Sequence, residues 1–308
     1  MRITGTFLDE ITYDIPSNNW GRSEWEHEFR IMKAVGIDTV ILIRAGLGKI
    51  ATFDSKVLQR EVGAYPAHTD LVAMFLDLAE EQGMDFHFGT YDSNLFARSG
   101  DPQKETRIGK AFVDEVWQRY GQRTAFKGWY LTFEIGNMER EYVECLYQLG
   151  RHCKEISPNL PTMISPYIFG SKATNKPVTL DQHSLGWDQI LETLQGVVDI
   201  IAFQDGHVDY DILPDYIQTN CELAKKHGMR SWSNLETFDR DMPIRFPPID
   251  WRKLWWKLQA AEAAGVEKII TFEFSHFLSP QSSWPAAANL FKRYCEHVGL
   301  DAQHLTGF

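Results

Sequence analysis

The chain has 308 residues, 44% of them hydrophobic and 13% aromatic, which is ample for a large core. Its formal net charge of −11, with no run of Lys or Arg, argues against nucleic acid and against anionic membrane surfaces as partners. No apolar run approaches the ~20 residues that a membrane span requires.

Strand-like and helix-like segments alternate from the start. Ile3–Asp9 is the first apolar, β-branched run. It begins so early that no leader precedes it, so the chain reads as cytoplasmic, or as exported if a leader has been removed. Ser23-Glu24-Trp25-Glu26 has the form of a capping box opening a helix, and Gly36 closes that helix. Thr39–Arg44 is the second strand. Thr69 precedes a helical pattern, apolar at Leu71, Phe75 and Leu78, that ends at Gly83. Asp85–Tyr91 follows as the third strand, Ile108–Tyr120 as a helix, and Gly128–Ile135 as the fourth strand. A helix over Glu139–Ile156 leads to the fifth strand, Pro161–Ile168. Val198–Gln204, Arg230–Glu236 and Lys268–Ser275 complete the strands, with helices near 185–195, 214–227, 251–264 and 284–298. The four cysteines, Cys145, Cys153, Cys221 and Cys295, lie in helical segments without a CxxC spacing, so they read as small buried residues.

Eight strand–helix units with strands apolar on both sides predict an α/β protein of the (β/α)₈ TIM-barrel class, one domain spanning residues 1–308. Loops entering the strands are short. Loops leaving them are long: Ala45–His68, Asp92–Glu105, Phe169–Ser184 and Thr237–Asp250. In such a barrel these loops share the C-terminal face, where active sites are built.

Two-residue alternation groups the side chains of each strand by face. It places Tyr130, Thr132 and Glu134 inward on the fourth strand, Trp232, Asn234 and Glu236 on the seventh, and Thr271, Glu273 and Ser275 on the eighth. Asp9, Glu10, Arg44, Tyr91, Asp92, Tyr167, Gln204, Asp205 and His207 join them as substrate-binding candidates near the mouth, with Trp232 as a platform for a sugar face. Trp20, Trp187 and Trp284 are lesser platform candidates, whereas Trp251, Trp255 and Trp256 read as core. Two carboxylates across a pocket are what glycosidic cleavage requires, one protonated and one ionised. Glu134 among Trp129, Tyr130 and Phe133 is expected to be desolvated and to hold its proton. Glu236, with Arg230, Arg240 and Arg245 nearby in sequence, is expected to be ionised.

A carboxylate ending the fourth strand and another ending the seventh resembles the arrangement of retaining barrel glycosidases. "GTFLDE" in the first strand and "GWYLTFEI" in the fourth are similar to the DUF4434 group, a set of glycoside-hydrolase-like barrels. The resemblance implies Glu134 as acid/base and Glu236 as nucleophile or base, acting without a cofactor on an oligosaccharide or glycoside. One position departs from it. Phe133 precedes Glu134, where the retaining clan places an Asn for the sugar 2-hydroxyl, so retention and inversion both stay open. Two other readings remain. A divalent-metal-dependent sugar isomerase or epimerase would use Glu134, Asp205, His207 and Glu236. A non-catalytic carbohydrate-binding barrel would need only the loops and the aromatic platform.

Overall fold

The eight apolar runs pair in parallel into a ring. The computed structural model describes residues 1–13, 15–95 and 100–306. Residues 96–99, within the predicted loop Asp92–Glu105, lie outside the described residues. The barrel strands are β1 (Ile3–Leu8), β2 (Thr39–Leu42), β3 (Asp85–Gly89), β4 (Phe126–Tyr130), β5 (Thr162–Ile164), β6 (Ile200–Gln204), β7 (Arg230–Glu236) and β8 (Lys268–Phe272). Each is hydrogen-bonded to its sequence neighbours, and β1 pairs with β8 to close the ring. Eight strands give an interior just wide enough for side chains to fill. The fold is a (β/α)₈ barrel.

Helices α1 (Arg22–Val35), α2 (Leu71–Gln82), α3 (Pro102–Tyr120), α4 (Val143–Ile156), α5 (Leu180–Leu194), α6 (Leu213–Lys226), α7 (Trp251–Ala264) and α8 (Pro285–Val298) follow the strands in turn. Their turns explain the short connections at the bottom of the barrel. Gly36 after α1 takes φ 105, and its N–H caps the last helical carbonyls. Two starts differ from the sequence reading. The α1 cap is Gly21, whose N–H donates to Glu24 Oε2 at 3.0 Å, and the α2 cap is Asp70 rather than Thr69. Among the described residues no helix is long and apolar enough to cross a membrane.

The core has two shells. Outward-facing strand residues such as Val40, Trp129 and Ile269 pack with the helices into one large cluster. Inside the ring, Phe7, Ile41, Tyr130, Met163, Trp232 and Ile270 form a smaller cluster, against which Phe272 packs. Two expectations therefore change. The inward residues of β8 are Ile270 and Phe272, the opposite of the expected set, and the chain turns into a short helix, Phe274–Phe277, where the strand was expected to continue. The polar side of β8 was expected to face the interior, but Thr271 instead donates to the Leu235 carbonyl and Glu273 caps the short helix, leaving the apolar side inside. On α7, Trp255 and Trp256 are 39% and 47% exposed, not core.

Candidate active site

The long loops enclose a cavity of about 480 Å³ at the C-terminal mouth. Glu236, the last residue of β7, and Glu134, just beyond β4, both line it, with Arg44, Asp92, Tyr167, Gln204 and His207. The cavity is two-sided. Ile15, Phe238, Phe246 and Phe272 make an apolar wall that joins a small buried cluster. Glu134, Glu139, Tyr167, Lys172 and Asp92 line it as polar groups.

Glu236 is buried, with 2% of its side chain exposed. A lone carboxylate would be costly there. Arg240, four residues on, meets it with both faces of its fork: Nε donates to Oε2 and Nη2 to Oε1, each at 2.7 Å. Burial opposes the charge, but the Arg240 guanidinium more than offsets it and holds the carboxyl at about 2. The guanidinium itself lies 4.8 Å from the Phe238 ring centre and 5.6 Å from that of Phe246, so the apolar wall also orients the cation. Arg230 does not contribute, because it sits at the other end of β7 and pairs with Glu267. His207 is pushed down to about 4, chiefly by burial, and is neutral near pH 7.

Glu134 has different surroundings. Its side chain is 35% exposed, and Arg44 Nη2 lies 3.5 Å from Oε1. The desolvating aromatic nest expected for it is not built: Trp129 and Phe133 face outward into the helical shell, and Tyr130 lies within the barrel core. The reason is that β4 pairing ends at Tyr130, so Glu134 stands on a loop instead of in a buried strand.

The family model described as "Domain of unknown function (DUF4434)" matches residues 3–284. The chain belongs to the DUF4434 family. A crystal structure described as "a putative alpha-L-fucosidase from Bacteroides thetaiotaomicron VPI-5482" is 48% identical, with a TM-score of 0.94 over 97% of this chain and 94% of that one. The endo-1,4-beta-D-mannanase of Thermotoga petrophila RKU-1 is 13% identical, with a TM-score of 0.55 over 88% of each chain. The beta-galactosidase of Marinomonas ef1 is 14% identical, with a TM-score of 0.60 over 99% of this chain and 62% of that one. These last two share the barrel fold with the DUF4434 chain. No curated protein matches it.

In this DUF4434 barrel six of the expected substrate-binding residues fall off the cavity wall. Asp9 is 1% exposed, and its Oδ1 accepts from the Ile11 and Thr12 N–H groups at 3.1 and 2.9 Å, an Asx turn. Glu10 accepts from Ser17. Tyr91 is buried and donates to the Gly48 carbonyl at 2.9 Å. Asp205 pairs with Lys257 beneath the site. Trp232 is sealed in the barrel interior, 6.0 Å from the His87 ring. Glu273 is fully buried, caps the short helix after β8 and bonds His276 Nδ1 at 2.6 Å. Each of the six side chains points away from the cavity or lies too deep to reach it.

Among the described residues none of the tryptophans lines the cavity, Trp20, Trp187 and Trp284 included; phenylalanines, with Tyr13 and Tyr167, supply its aromatic lining. Glu139, which sequence reading assigned to the start of a helix, is also at the site, accepting from Tyr167 Oη at 2.7 Å and from Gly136 N at 3.0 Å. Its nearness to Glu134 in the loop after β4 was the available signal. Among the described residues no three His, Cys, Asp or Glu side chains come together to hold a metal ion. The four residues considered for that role are separated in task, since Asp205 serves Lys257 and both Glu236 oxygens serve Arg240.

Proposed function

We propose that this protein hydrolyses a glycosidic bond, with Glu236 as nucleophile and Glu134 as acid/base. The observation that carries the proposal is the contrast between two carboxylates on one cavity. Glu236 is buried and locked as an anion by Arg240, while Glu134 is open to the cavity that the substrate would fill. A carboxylate at about 2 is a poor base for water near neutral pH, because efficient proton transfer wants a pKa near the working pH. Attack on the anomeric carbon suits it better. Each Glu236 oxygen receives one Arg240 N–H and keeps a further lone-pair direction.

In the first step a Glu236 oxygen bonds to the anomeric carbon as the glycosidic C–O bond breaks, and Glu134 gives its proton to the departing oxygen. A sugar seated over Glu134 would shut out solvent, which works toward the protonated form against the nearby Arg44. In the second step Glu134 takes a proton from water, whose oxygen displaces Glu236. The sugar leaves with its configuration retained. The apolar wall of Phe238, Phe246 and Phe272 suits the C–H face of a sugar ring. The relative described as a putative alpha-L-fucosidase makes α-L-fucosides, which carry a methyl group, the first compounds to try.

The test is a screen of aryl glycosides and oligosaccharides with the wild type, Glu134→Gln and Glu236→Gln. Each variant should lose ~10²–10⁴-fold in kcat while still binding sugar. Proton NMR of the first product should show the anomer of the substrate. Wild-type turnover by both variants would sink the assignment, and loss of wild-type activity with a chelator would favour a metal enzyme.

A further inference from the structure

Behind Glu236 a second set of buried groups acts on its backbone. Asp205 follows β6 and Lys257 lies on α7; each side chain is 2% exposed. Lys257 Nζ donates to Asp205 Oδ1 at 2.7 Å and to the Glu236 carbonyl at 3.0 Å. The same Asp205 Oδ1 accepts the Glu236 N–H at 3.0 Å. One ion pair thus holds both peptide groups of a single residue. It does so where pairing with β6 stops while pairing with β8 continues: the last β6–β7 partners are Gln204 and Asn234, so on that side the Glu236 N–H has no strand partner. Gly206 completes the arrangement. A Cβ there would lie 1.6 Å from Glu236 Oε2, so no side chain fits without displacing the carboxylate.

We infer that Asp205, Lys257 and Gly206 are positioning residues that hold the Glu236 carboxylate against Arg240 at the cavity wall. The inference rests on the reading of Glu236 as the reacting group. Stability alone does not account for the pair, since a buried ion pair exchanged for apolar residues is often neutral or stabilising. Among the described residues Asp205 Oδ2 is buried without a hydrogen-bond partner, and burial raises this carboxyl from its ordinary value despite Lys257. A half-satisfied anion is retained where it grips the residue that does the chemistry.

The test follows Glu236 itself. The full chain carrying carboxyl-¹³C glutamate is titrated by NMR, with Glu236→Gln assigning the signal. The titratable and charged groups facing Glu236 are Arg240, His207, Lys257, Asp205 and Tyr210, so the remaining glutamates serve as internal controls. Two variants are compared with the wild type. Asp205→Leu/Lys257→Met removes both charges together and leaves no buried ion unpaired. Gly206→Ala keeps the pair and pushes on the carboxylate directly. In both, the Glu236 signal should titrate at least one unit higher than in the wild type, and kcat should fall about 10²-fold with KM nearly unchanged, as a misplacement near 1 Å produces. An unmoved titration in the folded variants overturns the inference, even if the wild type cleaves glycosides. A wild type that cleaves none overturns the hydrolase reading and leaves the titration result standing. If the double variant does not fold, Gly206→Ala decides alone.

Discussion

Arg240→Met puts the electrostatics of the site to a quantitative test. Methionine keeps an aliphatic stem between Phe238 and Phe246 but removes both hydrogen bonds to Glu236. In the native protein the Glu236 carboxyl is lowered from 4.5 to about 2. At 1.36 kcal/mol per unit, that is about 3 kcal/mol of stability. The sign follows from the direction: a depressed carboxyl contributes stability that is fully present above pH 4.5 and is lost as the pH falls through 2. Without Arg240, burial prevails and Glu236 moves above 4.5, so its contribution reverses and stability falls as the pH rises. The two proteins should therefore diverge steadily from pH 3 to pH 7, reaching a deficit of about 3–5 kcal/mol at pH 7, the usual loss when a buried pair is broken. Urea unfolding across this range measures it. The acid limb of kcat/KM should move up in parallel, from near 2 to above 4.5. Parallel stability curves for the two proteins would refute the claim that Arg240 keeps Glu236 ionised.

Glu28 on α1 offers the opposite case. It is fully buried, receives Ser279 and Gln281 at 2.7 Å on Oε2, and burial lifts it to about 7. A raised carboxyl contributes stability below pH 4.5 that is lost as the pH rises through 7. Glu28→Gln should match the wild type at pH 4 and exceed it by about 3 kcal/mol at pH 9 in urea unfolding; equal stability at both would contradict the buried carboxylate. Phe246→Ala, which removes part of the apolar wall, should raise KM on any cleaved glycoside by about tenfold with a smaller effect on kcat, measured by steady-state kinetics.

The barrel was legible in the chain because its local signals agree. Runs such as Thr39–Leu42 and Asp85–Gly89 each follow a helix that ends at a glycine, Gly36 and Gly83, and these features depend on residues close in sequence. The position of Glu236 was legible for the same reason, since β7 alternates clearly between Trp232, Asn234 and Glu236 on one side and Ser233 and Leu235 on the other. Parity failed on β8, whose polar side serves backbone groups and a helix cap instead of the cavity, so Glu273 went to the wrong side. Depth failed where pairing ends early: Glu134 stands on a loop four residues past the last β4 residue, open to the cavity and beside Arg44.

What sequence alone settled, then, was the eightfold strand–helix order and the nomination of Glu134 and Glu236. That Glu236 is charged could be read from Arg240 four residues on; only contacts between distant segments decided that Glu134 lies open beside Arg44 and that Lys257 on α7 reaches Asp205 behind Glu236. Charge and orientation in a buried site depend on every group within a few ångströms, and those neighbours are set by folding, not by chain order.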